Sequence, residues 1–257
     1  MSTPDKRNSG AISPRNHKAP VFRTASGNVV EAKPNQPVAI DDVLRQVDVC
    51  WVVDTTGSMS DKINGLTQCM VDFVAELAKL KLDWRSTAVP FGDLTVPGDR
   101  VVGDLPFVSD RQAAEQMIRN LPHFNGGGNT GESSLEAMQA AMSKRYRQGA
   151  VSVLVLLTDE PPLTGPQLNA GTITRALQQQ ELICFVASPP HQGYEPWAEK
   201  NAGKWYPIGS HMDTSDLLAF LKGLLKDVAR ISKAVHELGG GSVRRYIAEA
   251  KRRELEG

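Results

Sequence analysis

The sequence predicts a doubly wound α/β domain: a central, mostly parallel sheet flanked by helices. Three observations carry this reading. Apolar runs and helical patterns alternate along the chain. The runs Val47–Val53, Val151–Leu157 and Leu182–Ala187 are continuous, which suits strands covered on both faces. Two of them lead into an aspartate, Asp54 and Asp159. Ligands of open α/β sheets sit at that end of the strands.

Residues 1–42 come first, punctuated by Pro4, Pro14, Pro20, Pro34 and Pro37. They hold too little apolar surface to offset their ordering entropy, so a disordered extension is expected. Val21-Phe22 and Val29-Val30 are candidates for a short strand pair within it. The domain is expected over 43–238. After the strand ending at Asp54, Ile63, Leu66, Met70, Phe73, Leu77 and Leu80 repeat at helical spacing. Ser86–Phe91 reads as a second strand, and Pro90 near its end points to a sheet edge or an early exit. Arg100–Val108 reads as a short third strand. Asp110 caps a helix running to Leu121. A glycine loop, Phe124–Gly131, precedes a helix from Glu132 to Arg147. Beyond Val151–Leu157 come a helix over Ile173–Gln180, the strand Leu182–Ala187 and a short helix over Tyr194–Ala202. A strand at Trp205–Ile208 and a long amphipathic helix over Asp216–Val235 complete the domain. Residues 239–257 read as a glycine-rich linker and a basic helical tail, solvated or in contact with an acidic partner or RNA.

Composition narrows the function. The 257 residues carry 29 Lys+Arg and 29 Asp+Glu, so the formal net charge is zero. Nucleic acid and anionic membrane usually select a basic excess, and neither is expected as a partner. Cys50, Cys69 and Cys184 lie far apart in apolar segments and form no CxxC pair. They read as buried reduced thiols, which favours the cytoplasm. The N-terminus is polar and broken by prolines, unlike a secretory signal. No apolar run approaches the length of a membrane span.

Asp54 opens the turn D-T-T-G-S. There alternate residues Asp54, Thr56 and Ser58 aim three oxygens at one point, and Gly57 lets the backbone turn. Hydroxyl and carboxylate oxygens together suit a hard cation such as Mg²⁺. A second carboxylate, Asp159, would repel Asp54 without one. Singly, each residue also reads as a helix or turn cap. Jointly, D-x-T-x-S after one buried strand, Thr130 in a glycine loop and Thr158-Asp159 after a second buried strand form an ordered set.

That set resembles the metal-ion-dependent adhesion site (MIDAS) of von Willebrand factor A domains, and the resemblance spans Val47 to Val235. It implies a Rossmann-like sheet with one short antiparallel edge strand. It also implies Mg²⁺, or Mn²⁺, held by Thr56 and Ser58 hydroxyls, with Thr130 direct or through water and Asp54 and Asp159 often through water. Thr56 stands where the family most often has serine; it keeps the oxygen and adds a methyl. The implied function is a non-enzymatic, metal-dependent binding module that grips a partner's Asp or Glu. The wording V-V-D-T-T-G-S-M is similar to intracellular and bacterial members, which often work beside AAA+ ATPases, kinases or stress-response proteins.

A nucleotide hydrolase is the alternative, because Gly126–Ser133 (G-G-G-N-T-G-E-S) approaches the phosphate-loop pattern. Glu132 stands where that pattern needs lysine and would repel phosphate. The loop also follows a helix rather than a buried strand. No HExxH or GxSxG is present, and the five histidines show no ligand spacing. Trp197, Trp205 and Tyr206 read as packing, with Tyr194 or Trp197 as candidates for the rim of the metal face.

Overall fold

The computed structural model describes residues 21–23, 29–31, 45–60, 62–80, 82–127, 131–190, 193–208, 214–240 and 242–256. The chain divides into two units, residues 1–44 and 45–257. In the first, β1 (Val21–Arg23) pairs antiparallel with β2 (Val29–Glu31), with Phe22 opposite Val30. This is the strand pair the sequence suggested. The disorder expected of the remainder of 1–42 concerns residues outside those described.

The second unit runs β3 (Arg45–Asp54), α1 (Ile63–Leu77), β4 (Leu82–Phe91), α2 (Arg111–Arg119), α3 (Ser134–Met142) and β5 (Val151–Leu157). It continues with α4 (Ala170–Gln179), β6 (Ile183–Ser188), α5 (Glu195–Glu199), β7 (Trp205–Pro207), α6 (Thr214–Gly239) and α7 (Val243–Glu256). The five strands are all parallel, in the order β4-β3-β5-β6-β7. The chain leaves β3 towards β4 and returns on the other side of β3 as β5. The order of strands therefore reverses at β3.

Alternate residues of the strands feed two cores. Val49, Trp51, Val53, Val153 and Val155 pack with Leu66, Met70 and Phe73 of α1 and Leu224 and Val228 of α6. Cys50, Val52, Leu154 and Leu156 pack with Leu135 and Met138 of α3, Leu177 of α4 and Trp197 of α5. Strands buried on both faces explain why their sequences read as continuous apolar runs. Each such aliphatic side chain contributes about 1.5–3 kcal/mol by leaving water.

The structure departs from the sequence reading in four places. Arg100–Val108 forms no strand: it meets β4 through isolated antiparallel bridges, Phe91↔Val101 and Ser86↔Val108, and through the bonds Val102 N to Pro90 O and Thr87 Oγ1 to Leu105 O. Gly103 and Pro106 interrupt it, and proline lacks the ladder N–H. The short antiparallel edge strand implied by the resemblance is therefore not formed among the described residues of this sheet. Next, β4 starts at Leu82 rather than Ser86, and its polar first half is stabilised by charge. Buried Asp48 of β3 accepts from Arg85 Nε (2.9 Å) and Nη2 (2.6 Å) and from Arg147 N (2.7 Å) and Nε (2.8 Å). Arg147 also pairs with Asp83 at 2.9 Å. That use of the Arg147 backbone fits α3 ending at Met142 instead of continuing to Arg147. Finally, α7 is not wholly solvated, because Val243 is buried and Tyr246 and Ile247 pack on the core. Pro90 lies within β4, paired with Val53, and β4 is an edge strand as expected.

Candidate metal centre

The parallel register of β3 and β5 puts Val53 opposite Leu157, so both chains emerge at one end of the sheet. Asp54 and the Thr158-Asp159 pair therefore meet at the reversal of strand order, where open sheets form their crevice. Asp54 is fully buried. Its Oδ1 accepts from Thr56 N at 3.0 Å and Thr56 Oγ1 at 2.6 Å. Its Oδ2 accepts from Thr158 Oγ1 at 2.7 Å. Ser58 Oγ donates to Asp159 Oδ1 at 3.1 Å, and Thr56 Oγ1 lies 3.1 Å from Ser58 Oγ. Four of the five expected residues, Asp54, Thr56, Ser58 and Asp159, thus form one connected group. Thr130 falls outside the described residues.

The capping alternative fails for Thr56, whose side chain makes no bond to the short helical turn Gly57–Met59. Asp110 does cap α2, accepting from Ala113 N. Gly57 serves a purpose other than the expected one. A Cβ there would sit 2.8 Å from the carbonyl oxygen of Asn125, which accepts the Gly57 N–H. The need is for close approach of the glycine loop, not for an unusual dihedral. Phe124 N donates to Thr55 O, pinning the same loop a second time. Asp99 accepts from Asn125 N and Gly126 N and fixes its far side. Gly126 has φ +76, and a Cβ there would come within 3.0 Å of Thr56 Cβ.

Acid groups crowd this end of the sheet. Burial pushes the Asp54 carboxyl up to about 6, against the bonds from Thr56 and Thr158. Glu132 is pushed up to about 8, first by burial and then by the carboxylates of Asp54, Asp93, Glu160 and Asp99. Glu132 Oε2 and Asp93 Oδ2 are buried without a hydrogen-bond partner. A buried carboxylate without compensation is costly. Such groups either take up a proton or bear the cost of ionisation, and oxygen donors of this kind are what a hard cation takes. Lys62 supplies part of the charge balance: its Nζ donates to Asp159 Oδ2 at 2.6 Å and to Ser58 O at 3.1 Å.

The hydroxyl geometry also fits. Each hydroxyl has one proton, and Thr56 and Ser58 spend theirs on Asp54 and Asp159. Ser58 Oγ lies 3.1 Å from both Asp159 Oδ1 and Thr56 Oγ1, and with its proton on Asp159 the two hydroxyl oxygens turn lone pairs toward one point. Two neighbouring ligands of an octahedral Mg²⁺, each at roughly 2.0–2.1 Å, lie about 2.9 Å apart. Among the described residues no group of three or more His, Cys, Asp or Glu is arranged to hold a metal. The fit rests on the mixed set of hydroxyls and carboxylates. Thr56, Ser58, Asp54 and Asp159 are the described residues that would hold the ion.

The profile of the von Willebrand factor type A domain matches residues 48–193. The chain belongs to that family. A solved structure similar to it is the von Willebrand factor type A protein from Catenulispora acidiphila, at 19% identity and a TM-score of 0.50. The likeness covers 72% of this chain and 43% of that one, and shows a shared fold. No curated protein matches the chain.

Within this von Willebrand factor A domain, two expectations about the rim resolve as packing. Tyr194 and Trp197 are fully buried. The Tyr194 hydroxyl donates to Glu160 O at 2.9 Å, bracing the loop just after Asp159, and Trp197 Nε1 donates to Ala170 O. The three cysteines are free and buried, as read from the sequence. No described helix is long and apolar enough to cross a membrane. The sequence reading missed Lys62, Asp93 and Asp99, and left Thr158 and Glu132 without a role at the site. Thr158 and Glu132 lay inside quoted motifs; nothing local marked the other three.

Proposed function

We propose that this domain is a metal-dependent protein-binding module that grips a partner's Asp or Glu, and that it binds rather than turns over its ligand. Domains of this family mediate protein–protein interactions in general. The observation that carries the finer reading is the pair of hydroxyl oxygens of Thr56 and Ser58. They stand 3.1 Å apart, and each lies within hydrogen-bond reach of a carboxylate, Asp54 or Asp159, that can take its proton. Such outer partners fix the orientation of ligating oxygens before the ion arrives.

A divalent cation at this place supplies a Lewis-acidic position that attracts an incoming carboxylate. The protein's own residues do the rest. Asp54 stays buried and orients Thr56, while Thr158 holds its second oxygen. Asp159 orients Ser58, which reaches the exposed surface. The loop Asp93–Asp99 carries Leu94, an exposed large hydrophobic side chain anchored by its N–H to Ser133 Oγ. It lies beside Glu132 and offers a partner an apolar contact next to the site. Glu132 stands where a phosphate loop needs a lysine, so no ammonium is there to reach a phosphate, which disfavours the nucleotide-hydrolase alternative.

Affinity capture with the wild-type domain, with and without chelator, tests the reading. A partner retained in magnesium should be lost with chelator and with Ser58→Ala or Asp159→Ala, while circular dichroism shows both variants folded. The same protein should release no phosphate from ATP. Equal capture by wild type, variants and chelated protein would remove the top of the sheet as the docking face.

A further inference from the structure

We infer that Lys62 is a resident counter-cation of the site, which lowers its affinity for a divalent ion and keeps Asp159 in place when that ion is absent. The inference rests on the metal-binding reading above. Its basis is geometric. Lys62 precedes α1, and its side chain is only 8% exposed. Its ammonium turns back to the Asp54–Ser58 turn and meets Asp159 Oδ2 at 2.6 Å and Ser58 O at 3.1 Å. The other oxygen of the same carboxylate receives the Ser58 hydroxyl proton at 3.1 Å. Ser58 therefore stands between two positions. Its hydroxyl faces Thr56 and its carbonyl faces the ammonium.

The consequences follow from charge. A carboxylate that is 91% shielded needs a positive or hydrogen-bonding partner, and Lys62 provides one without any metal. A dication drawn to the hydroxyls of Thr56 and Ser58 arrives within a few ångströms of that ammonium. The two cations repel and compete for one carboxylate. In a partly buried setting such repulsion is screened less than in bulk water. Lys62 must share Asp159 or swing away, and either cost is subtracted from metal affinity. The same bond holds Asp159 against Ser58 in the empty state, so the ligands do not splay apart between one binding event and the next. The predicted behaviour is a site that loads and unloads reversibly rather than one that traps its ion.

Lys62→Met tests this directly, since it keeps the length and removes the charge. Titration calorimetry with magnesium chloride on the full chain should show Lys62→Met binding about tenfold more tightly, or better. In chelator the variant should melt below wild type, because Asp159 has lost the ammonium beside its Oδ2. Lys62→Arg keeps the charge and should stay within about threefold of wild type, which guards against a fold defect in the methionine variant. If wild type binds magnesium and Lys62→Met binds it equally or more weakly, the inference falls and Lys62 merely positions Asp159. If wild type shows no heat and Lys62→Met does, competition by the lysine is supported. If neither protein binds magnesium, the metal reading itself fails and takes the inference with it.

Discussion

Replacing Asp54 by asparagine separates the metal-loaded domain from the metal-free one. Asp54 is fully buried, and burial pushes its carboxyl from 3.8 up to about 6. A carboxyl raised in this way binds more protons in the fold than in the unfolded chain between those two values. Its contribution to stability is complete below 3.8 and is lost as pH rises through about 6. In chelator at about pH 7.5 the native domain thus carries the whole cost of an ionised, buried carboxylate, ~3 kcal/mol as a ceiling. Asparagine keeps an oxygen for Thr56 N and Oγ1, and its amide meets Thr158 Oγ1, which can turn to accept. The chelated variant should therefore be more stable than chelated wild type by about 1–3 kcal/mol, each worth roughly 2–4 °C in a domain of this size. Magnesium at about 100 times its dissociation constant adds roughly 2.7 kcal/mol to wild type and should add nothing to the variant. Thermal melts in chelator and in magnesium, repeated from about pH 5 to 8, read both effects. The stability advantage of the chelated variant should shrink toward pH 5. A variant that melts below wild type in chelator at about pH 7.5, or that keeps the magnesium increment, would refute the reasoning.

Thr56→Val keeps the shape of a buried side chain and deletes one hydroxyl, so it should abolish the magnesium increment. In chelator it should lose about 1–2 kcal/mol, since Asp54 forfeits a 2.6 Å bond; an intact magnesium increment would show that Thr56 is not a ligand. Arg147→Met removes one of the two guanidinium groups that hold Asp48 and should cost about 3 kcal/mol in urea unfolding. Its magnesium increment should equal that of wild type, because Asp48 lies on the same strand as Asp54 but towards the opposite end of the sheet; a lost increment would mean that the two ends are coupled.

Those two aspartates show where sequence reading reaches and where it stops. Asp48 and Asp54 share β3, a face and complete burial. From sequence, Asp54 was recognisable because its partners Thr56 and Ser58 sit two and four residues away, within one turn. The partners of Asp48 lie 37 and 99 residues away, and nothing near Asp48 announces them. The acid cluster of Asp93, Asp99 and Glu132 has the same long-range character, as does the hold of Lys62 on Asp159, 97 residues apart.

The amino-acid sequence alone determined the alternation of strands and helices, the three buried strands and the D-x-T-x-S turn. Each of these is written in residues close enough to interact within one element, as apolar periodicity or as a turn. The tertiary structure decided what those elements do together. The register of β3 against β5 brings Thr158 onto Asp54 and Ser58 onto Asp159. The need to fit the Asn125 carbonyl, not a dihedral, accounts for Gly57. The stretch 100–108 stays out of the ladder because Gly103 and Pro106 interrupt it. Cross-strand partners, charge balance and close approach depend on distances that only the folded chain sets, and it is those distances that turn a turn with three oxygens into a site for a cation.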